Sequence, residues 1–326
     1  MTTAAHPPFD AELSAALQAM VMAGQAPGTL TPDLIPALRE RNALQRPGDE
    51  ELRRGGRIEI EERGIPGPES APDLSVLICR PAGAATPAPG VYNIHGGGMI
   101  MGDNRTAITA LLDWVEQLGV IVVSVEYRLA PEHPHPAPVE DCYAGLLWTA
   151  ANAAEVGIDP QRLLIAGASA GGGLAAAVAL MARDRGGPAL LGQMLICPML
   201  DDRNETPSSH ELDGEGVWDR TSNLTGWGAL LGEQRGGPDV SPYAAPARAD
   251  DLSGLPPAFV DVGSVETFRD EDVAYATRIW QAGGSAELHV WPGGFHGFDL
   301  MLPQAALSQA AQAARVQWIR RLLGSY

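Results

Sequence analysis

The stretch Arg162-Leu163-Leu164-Ile165-Ala166-Gly167-Ala168-Ser169-Ala170-Gly171 decides how the rest of the chain is read. Up to Ala166 it is short, apolar and rich in branched side chains, the pattern of a strand buried on both faces. After it, residues 172–183 are dominated by Ala and Leu, the composition of a helix packed close to a sheet. Between the two lies Gly-x-Ser-x-Gly. A turn passing straight from strand to helix leaves no room for side chains two positions either side of its serine, so glycines stand there. The serine is held on a strained bend, its hydroxyl exposed at the carboxyl end of the sheet. The helix that follows aims its free N–H groups and positive dipole end at charge forming there. The plainer alternative is a glycine-rich turn that only lets a helix pack tightly on a strand.

Composition narrows the field. A chain of 326 residues buries a large core and holds one large domain or two small ones. With 45% hydrophobic and 19% charged residues, it belongs with soluble globular proteins, not disordered ones. A net charge of −18 repels phosphate backbones and anionic lipid, which argues against nucleic-acid or membrane-surface work. Cys79, Cys142 and Cys197 lie far apart, without Cys-x-x-Cys or Cys/His zinc spacing, and read as buried thiols; no metal site is expected. The opening MTTAAHPPFD lacks the basic region and apolar core of a leader, and no run approaches membrane-spanning length. The expectation is a soluble, cytoplasmic protein.

Along the chain, residues 9–24 carry Leu13, Leu17, Met20 and Val21 at helical spacing. A second helix is expected over 31–46, with Leu34, Leu38 and Arg41, capped by Asp33 or Thr31, after a turn at 25–28. From Arg57 the period changes to that of strands. Eight are expected, near 57–61, 74–79, 91–95, 120–127, 163–168, 191–197, 258–263 and 286–291. Helices are expected at 108–118, 139–154, 174–185, 272–281 and 305–323. This alternation predicts a mostly parallel sheet covered on both faces, with the two early strands as an antiparallel edge. Residues 202–236 break the rhythm: they read as polar and irregular, with Trp218, Leu224, Trp227, Leu230 and Leu231 interspersed, the character of a lid or binding loop.

Two further motifs bear on chemistry. His95-Gly96-Gly97-Gly98 closes the third strand, and consecutive glycines turn backbone N–H groups toward a ligand, as an oxyanion hole needs. Together with the amide after Ser169, the donors are Gly97, Gly98 and Ala170. Phe295-His296-Gly297-Phe298 follows the last strand, which places His296 within reach of a serine at the same sheet edge. His6, His133, His135, His210 and His289 stand in less suitable segments, and His95 reads as scaffolding of its own loop. The acid should follow the seventh strand, where Glu266, Asp270, Glu271 and Asp272 are available. Glu266 is chosen because it lies just past the strand end, whereas Asp270 comes immediately before a helix expected from Asp272 and suits that helix's N-terminus.

In combination these blocks, with Tyr127-Arg128-Leu129-Ala130-Pro131-Glu132-His133, resemble the hormone-sensitive-lipase-like branch of the α/β-hydrolases, in its order. The resemblance implies an eight-stranded, mostly parallel sheet flanked by helices, a helical cap, no cofactor, and hydrolysis of carboxylic esters. One departure stands out: Glu266-Thr267-Phe268 occupies the place of the family's usual Asp-Pro-Leu before Arg269-Asp270-Glu271. That alignment also places Glu266 where the aspartate stands. The organisation expected is residues 1–55 as the first part of the cap, 56–201 and 237–326 as the hydrolase core, and 202–236 as an insertion completing the cap. Ser169, Glu266 and His296 form the expected catalytic triad. Trp218, Leu224 and Trp227 are expected to bind a small-molecule ester, with Leu13, Leu17 and Met20 meeting the insertion over Ser169; the enclosed pocket suits short to medium acyl chains. An amidase or arylformamidase on the same triad, or a non-catalytic receptor, is the alternative. A homodimer is left open.

Overall fold

The computed structural model describes residues 5–24, 28–84 and 87–324, so most of the turn expected at 25–28 lies outside the described residues. Its centre is an eight-stranded sheet in the order β1-β2-β4-β3-β5-β6-β7-β8. The strands are β1 (Ile58–Ile65), β2 (Leu74–Pro81), β3 (Ala88–Ile94), β4 (Ile121–Glu126), β5 (Ile158–Ala168), β6 (Gly192–Ile196), β7 (Ala258–Gly263) and β8 (Ala286–Trp291). All eight fall where the hydrophobic pattern puts them. Only β2 runs against its neighbours: it is antiparallel to both β1 and β4, and the pairs from β4 to β8 are parallel. The parallel arrangement matters for function because β3, β5, β7 and β8 all deliver their carboxyl ends to the same edge.

Before the sheet come α1 (Ala11–Met22), α2 (Ile35–Leu44) and the short α3 (Asp49–Leu52). The crossovers are α4 (Ile108–Leu118), α5 (Ala137–Ala151), α6 (Ala153–Val156) and α7 (Ala170–Asp184). Then follow α8 (Pro207–Glu211), α9 (Arg220–Leu231), α10 (Arg269–Gln281), α11 (Phe298–Met301) and α12 (Ala306–Leu322). On one face of the sheet, Val76, Tyr92, Ile94 and Ile165 pack with α5, α7 and α10; on the other, Leu77, Val91, Val122 and Phe259 pack with α4 and α12. Every residue of α7 from Ala170 to Ala182 is buried. Its run of alanines and glycines is what lets a helix lie that close to three strands.

Local expectations fail in three places. Neither Thr31 nor Asp33 caps α2: a single 3-10 turn, Pro32–Leu34, leads into it, and the Thr31 hydroxyl donates to Asp33 instead. Residues 202–236 are not irregular throughout, because α8 and α9 lie within them. Asp219 caps α9 by accepting from the Ser222 amide at 2.8 Å, a start signal hidden in a polar run. Thirdly, α10 begins at Arg269, which puts Asp270 inside its first turn. Among the described residues no helix is long and apolar enough to cross a membrane.

Candidate active site

Ser169 sits between β5 and α7 with φ 58° and ψ −124°, a left-handed conformation that costs a side-chain-bearing residue about 1–3 kcal/mol. The flanking glycines are required by contact. A Cβ at Gly167 would lie 2.2 Å from the Gly171 carbonyl oxygen, and one at Gly171 would lie 2.0 Å from that of Ile94. The bend is held from behind, where the Ser169 amide donates to Ile196 at 2.8 Å and its carbonyl accepts from Gly173 and Met199 at 3.0 Å.

The loop after β3 presents the backbone that faces this bend. Gly97 and Gly98 take φ of 116° and 62°, and Met101 and Ile100 donate back to the Gly97 carbonyl. Among the described residues none accepts a hydrogen bond from the amides of Gly97, Gly98 or Ala170. Beneath the loop, His95 stacks on Tyr127 with ring centroids 4.1 Å apart, and the Tyr127 hydroxyl donates to the His95 carbonyl. Burial pushes the His95 imidazole down to about 4, so the ring is neutral packing, as its reading as scaffolding requires. The turn after β4 braces this loop further: Ala130 donates to Met99, and Arg128 grips the buried Asp141 through two nitrogens.

Histidine and acid arrive from the last two strand ends. His296 Nδ1 lies 2.5 Å from Glu266 Oε1, while Glu266 Oε2 accepts the Gly263 amide at 3.1 Å. Phe268 packs edge-on against the His296 ring at 5.3 Å and Trp218 lies 6.2 Å away on another side. Asp270 is elsewhere occupied: it accepts from the Ser208 amide at 2.8 Å, at the start of α8, and pairs with Arg269. Its work is thus at the N-terminus of α8 as well as in the first turn of α10. Cys197 Sγ lies with the Glu266 and His296 ligating atoms, all within 4.8 Å of one another. Burial raises that thiol well above its usual range. A protonated thiol is a poor metal ligand, and the other two groups are bonded to each other.

Ser169 and His296 line one cavity of about 580 Å³, with Gly97 and Gly98. Its walls come from the N-terminal segment (Leu30, Leu34, Ala37, Leu38, Arg41), from the insertion (Val217, Trp218, Ser222) and from Met101, Leu300 and Met301. Trp218 lines this cavity, its ring so close to the glycine loop that a Cβ on Gly98 would come within 2.5 Å of it. Leu224 and Trp227 are corrected. Neither lines the cavity, and Trp227 is wholly buried in the core beneath α9, because a tryptophan on the inward face of a packed helix goes to the core. Leu13, Leu17 and Met20 are corrected as well, since none of them lines the cavity: Leu13 and Leu17 pack with Phe295 and Phe298 on either side of His296, and it is α2, one helix later, that lines the cavity.

At the middle position of the departure from the usual Asp-Pro-Leu, Thr267 makes a contact of its own. Its hydroxyl donates to the Trp218 carbonyl at 2.6 Å, a bond that proline cannot make, and so ties the insertion to the loop that carries Glu266.

An open, mostly parallel sheet with a Gly-x-Ser-x-Gly turn at the carboxyl end of a central strand defines an α/β-hydrolase. The chain belongs to the hormone-sensitive-lipase-like branch of that family, its residues 91–300 matching the family described as alpha/beta hydrolase fold. It is 39% identical over 258 residues to the carboxylesterase NlhH of Mycobacterium tuberculosis, covering 76% of this chain and 79% of that one. Among solved structures it resembles a bacterial heroin esterase (40% identity, TM-score 0.87, 97% and 98% of the two chains). The esterase LipW of Mycobacterium marinum is similar too (33% identity, TM-score 0.86, 98% of each). The protein is accordingly an enzyme of the carboxylesterase class.

Proposed function

We propose that the enzyme hydrolyses carboxylic esters through an acyl-enzyme on Ser169. His296, with Nδ1–H directed to Glu266, keeps Nε2 as its proton acceptor. Ser169 Oγ attacks the carbonyl carbon as its proton passes to Nε2. The tetrahedral oxyanion is met by the amides of Gly97, Gly98 and Ala170, which have no acceptor among the described residues and are not reoriented at the moment of reaction. Collapse breaks the bond to the alcohol oxygen, which leaves with the proton from Nε2. Water then repeats the sequence, giving up its proton to His296, and releases the acid. Residues 1–55 and 202–236 act together as a cap, and the cavity they enclose favours short to medium acyl chains.

The observation that carries this reading is the 2.5 Å bond between His296 and Glu266 at the floor of a cavity that also holds Ser169. A panel of p-nitrophenyl esters beside matched p-nitroanilides, assayed with the native chain and Ser169→Ala, is the test. Hydrolysis of esters alone, abolished in the variant, supports it. Anilide turnover at comparable rates makes the enzyme an amidase, and full ester turnover by folded Ser169→Ala overturns the mechanism.

A further inference from the structure

The cavity over Ser169 holds one formal cation and, among the described residues, no carboxylate. Arg41 is that cation. Leu34, at the end of the 3-10 turn, and Ala37, Leu38 and Arg41 of α2 line the cavity in succession, so an apolar stripe ends in an arginine that is itself exposed at the cavity's open side. The orientation of the helix is fixed by its neighbour: Arg39 donates to the carbonyls of Ile100 and Ala130 and forks onto Glu132.

Arg41 is unusual in this chain. All 22 basic side chains are arginine, and the acidic ones outnumber them at 40. Among the described residues eighteen of the arginines have a carboxylate within 4.0 Å. Arg41 has none, although acids are nearly twice as numerous as cations. The net charge of −18 opposes an anionic ligand at long range, but beyond about 8 Å salt screens that field. What a bound molecule meets is the local set: apolar walls, a few hydroxyls, and Arg41.

We propose that Arg41 selects esters bearing an anionic group distal to the scissile bond, such as half-esters of dicarboxylic acids. The guanidinium pairs with the distal carboxylate while Leu34, Leu38 and Met101 line the cavity around the intervening methylenes. The proposal rests on the esterase reading above and refines its substrate class.

The test compares monomethyl glutarate, adipate and suberate with their uncharged ω-amides, which have nearly the same shape and the same methyl ester. The quantity read is kcat/KM for the acid divided by kcat/KM for the amide, at about 0.15 M salt, where the long-range field is screened, in the native enzyme, Arg41→Gln and Arg41→Lys. The ratio should fall about two- to fivefold in Arg41→Gln for at least one chain length, chiefly through KM. Arg41→Lys should keep most of it, and 0.5 M NaCl should lower the native ratio toward that of the glutamine variant. An unchanged ratio in Arg41→Gln at all three lengths overturns the proposal while leaving the esterase reading intact. If the folded native enzyme hydrolyses neither acids nor amides, nor any neutral ester, it is the esterase reading that fails.

Discussion

Glu266 Oε1 and His296 Nδ1 are 2.5 Å apart, and Asp270, only four residues further along, bonds to Ser208 and Arg269 instead. The separation of roles follows from where β7 ends. The loop after Gly263 folds back so that the Gly263 amide itself orients the Glu266 carboxylate, whereas Asp270 already belongs to α10. Replacing Glu266 with Ala is expected to cost roughly 10³- to 10⁴-fold in kcat/KM, since the imidazole loses both its orientation and the charge that stabilises its protonated form. Glu266→Asp should lie between that and the native value. Asp270→Ala should keep kcat/KM within about tenfold and lower stability by about 1 kcal/mol, as loss of a helix N-terminal partner does. Steady-state kinetics on proteins shown by circular dichroism to be folded make the comparison.

Thr267→Val removes the hydroxyl bond to the Trp218 carbonyl but keeps the shape of the side chain. The expected result is a change in acyl-chain preference, because Trp218 forms one wall of the cavity beside Gly98 and His296. Thr267→Ser, which retains the donor, should restore the native profile. Identical chain-length profiles for the valine variant and the native enzyme count against this coupling.

Asp272 is fully buried, and neither of its carboxylate oxygens has a hydrogen-bond partner among the described residues. Burial first, then the neighbouring Glu271, Glu266 and Asp261, hold its carboxyl well above the usual value of 3.8. The folded state therefore keeps a proton that the unfolded chain releases. Stability from this group is complete below about 3.8 and declines as pH rises toward the folded value, by at most about 1.4 kcal/mol per pH unit. In Asp272→Asn that decline is absent. Any fixed cost of the buried amide is the same at each pH, so the difference in Tm between variant and native protein should grow in the variant's favour from pH 5 to pH 9. A difference that stays flat across that range contradicts the assignment of a neutral Asp272.

Leu13 is wholly buried against Phe295 and Phe298, the residues flanking His296 and Gly297. Asp10 adds a backbone bond to the Gly293 carbonyl at 3.0 Å. The N-terminal segment thus supports the histidine loop from outside. Leu13→Ala should cost about 2–5 kcal/mol if the gap does not close. With temperature, its activity should fall before the circular dichroism signal does, since the loosened loop carries His296; simultaneous loss of both would show that α1 supports the whole body equally.

The strands and the principal loops were legible because each is a local signal: branched runs bounded by Gly and Pro, and a serine between glycines. The meeting of Glu266 with His296 was legible because the place of Glu266 follows from a strand end. The segments proposed as a cap were harder to read. A helix facing a cavity and a helix facing the core show the same apolar spacing, so Trp227 and Trp218 look alike in sequence although one is buried in the core and the other lines the site. Likewise α1 and α2 both carry leucines at helical intervals, and only the path of the chain decides which of them covers Ser169. The structural use of Thr267 had no local signal, because its partner lies 49 residues away.

The proposed mechanism requires Ser169 to be the nucleophile, and covalent labelling with a fluorophosphonate reads that directly. Intact mass followed by peptide mapping should give one adduct per chain, located on Ser169, formed in step with loss of esterase activity and absent from Ser169→Ala. Complete inactivation with the label on another residue, or labelling that persists in Ser169→Ala, would contradict it.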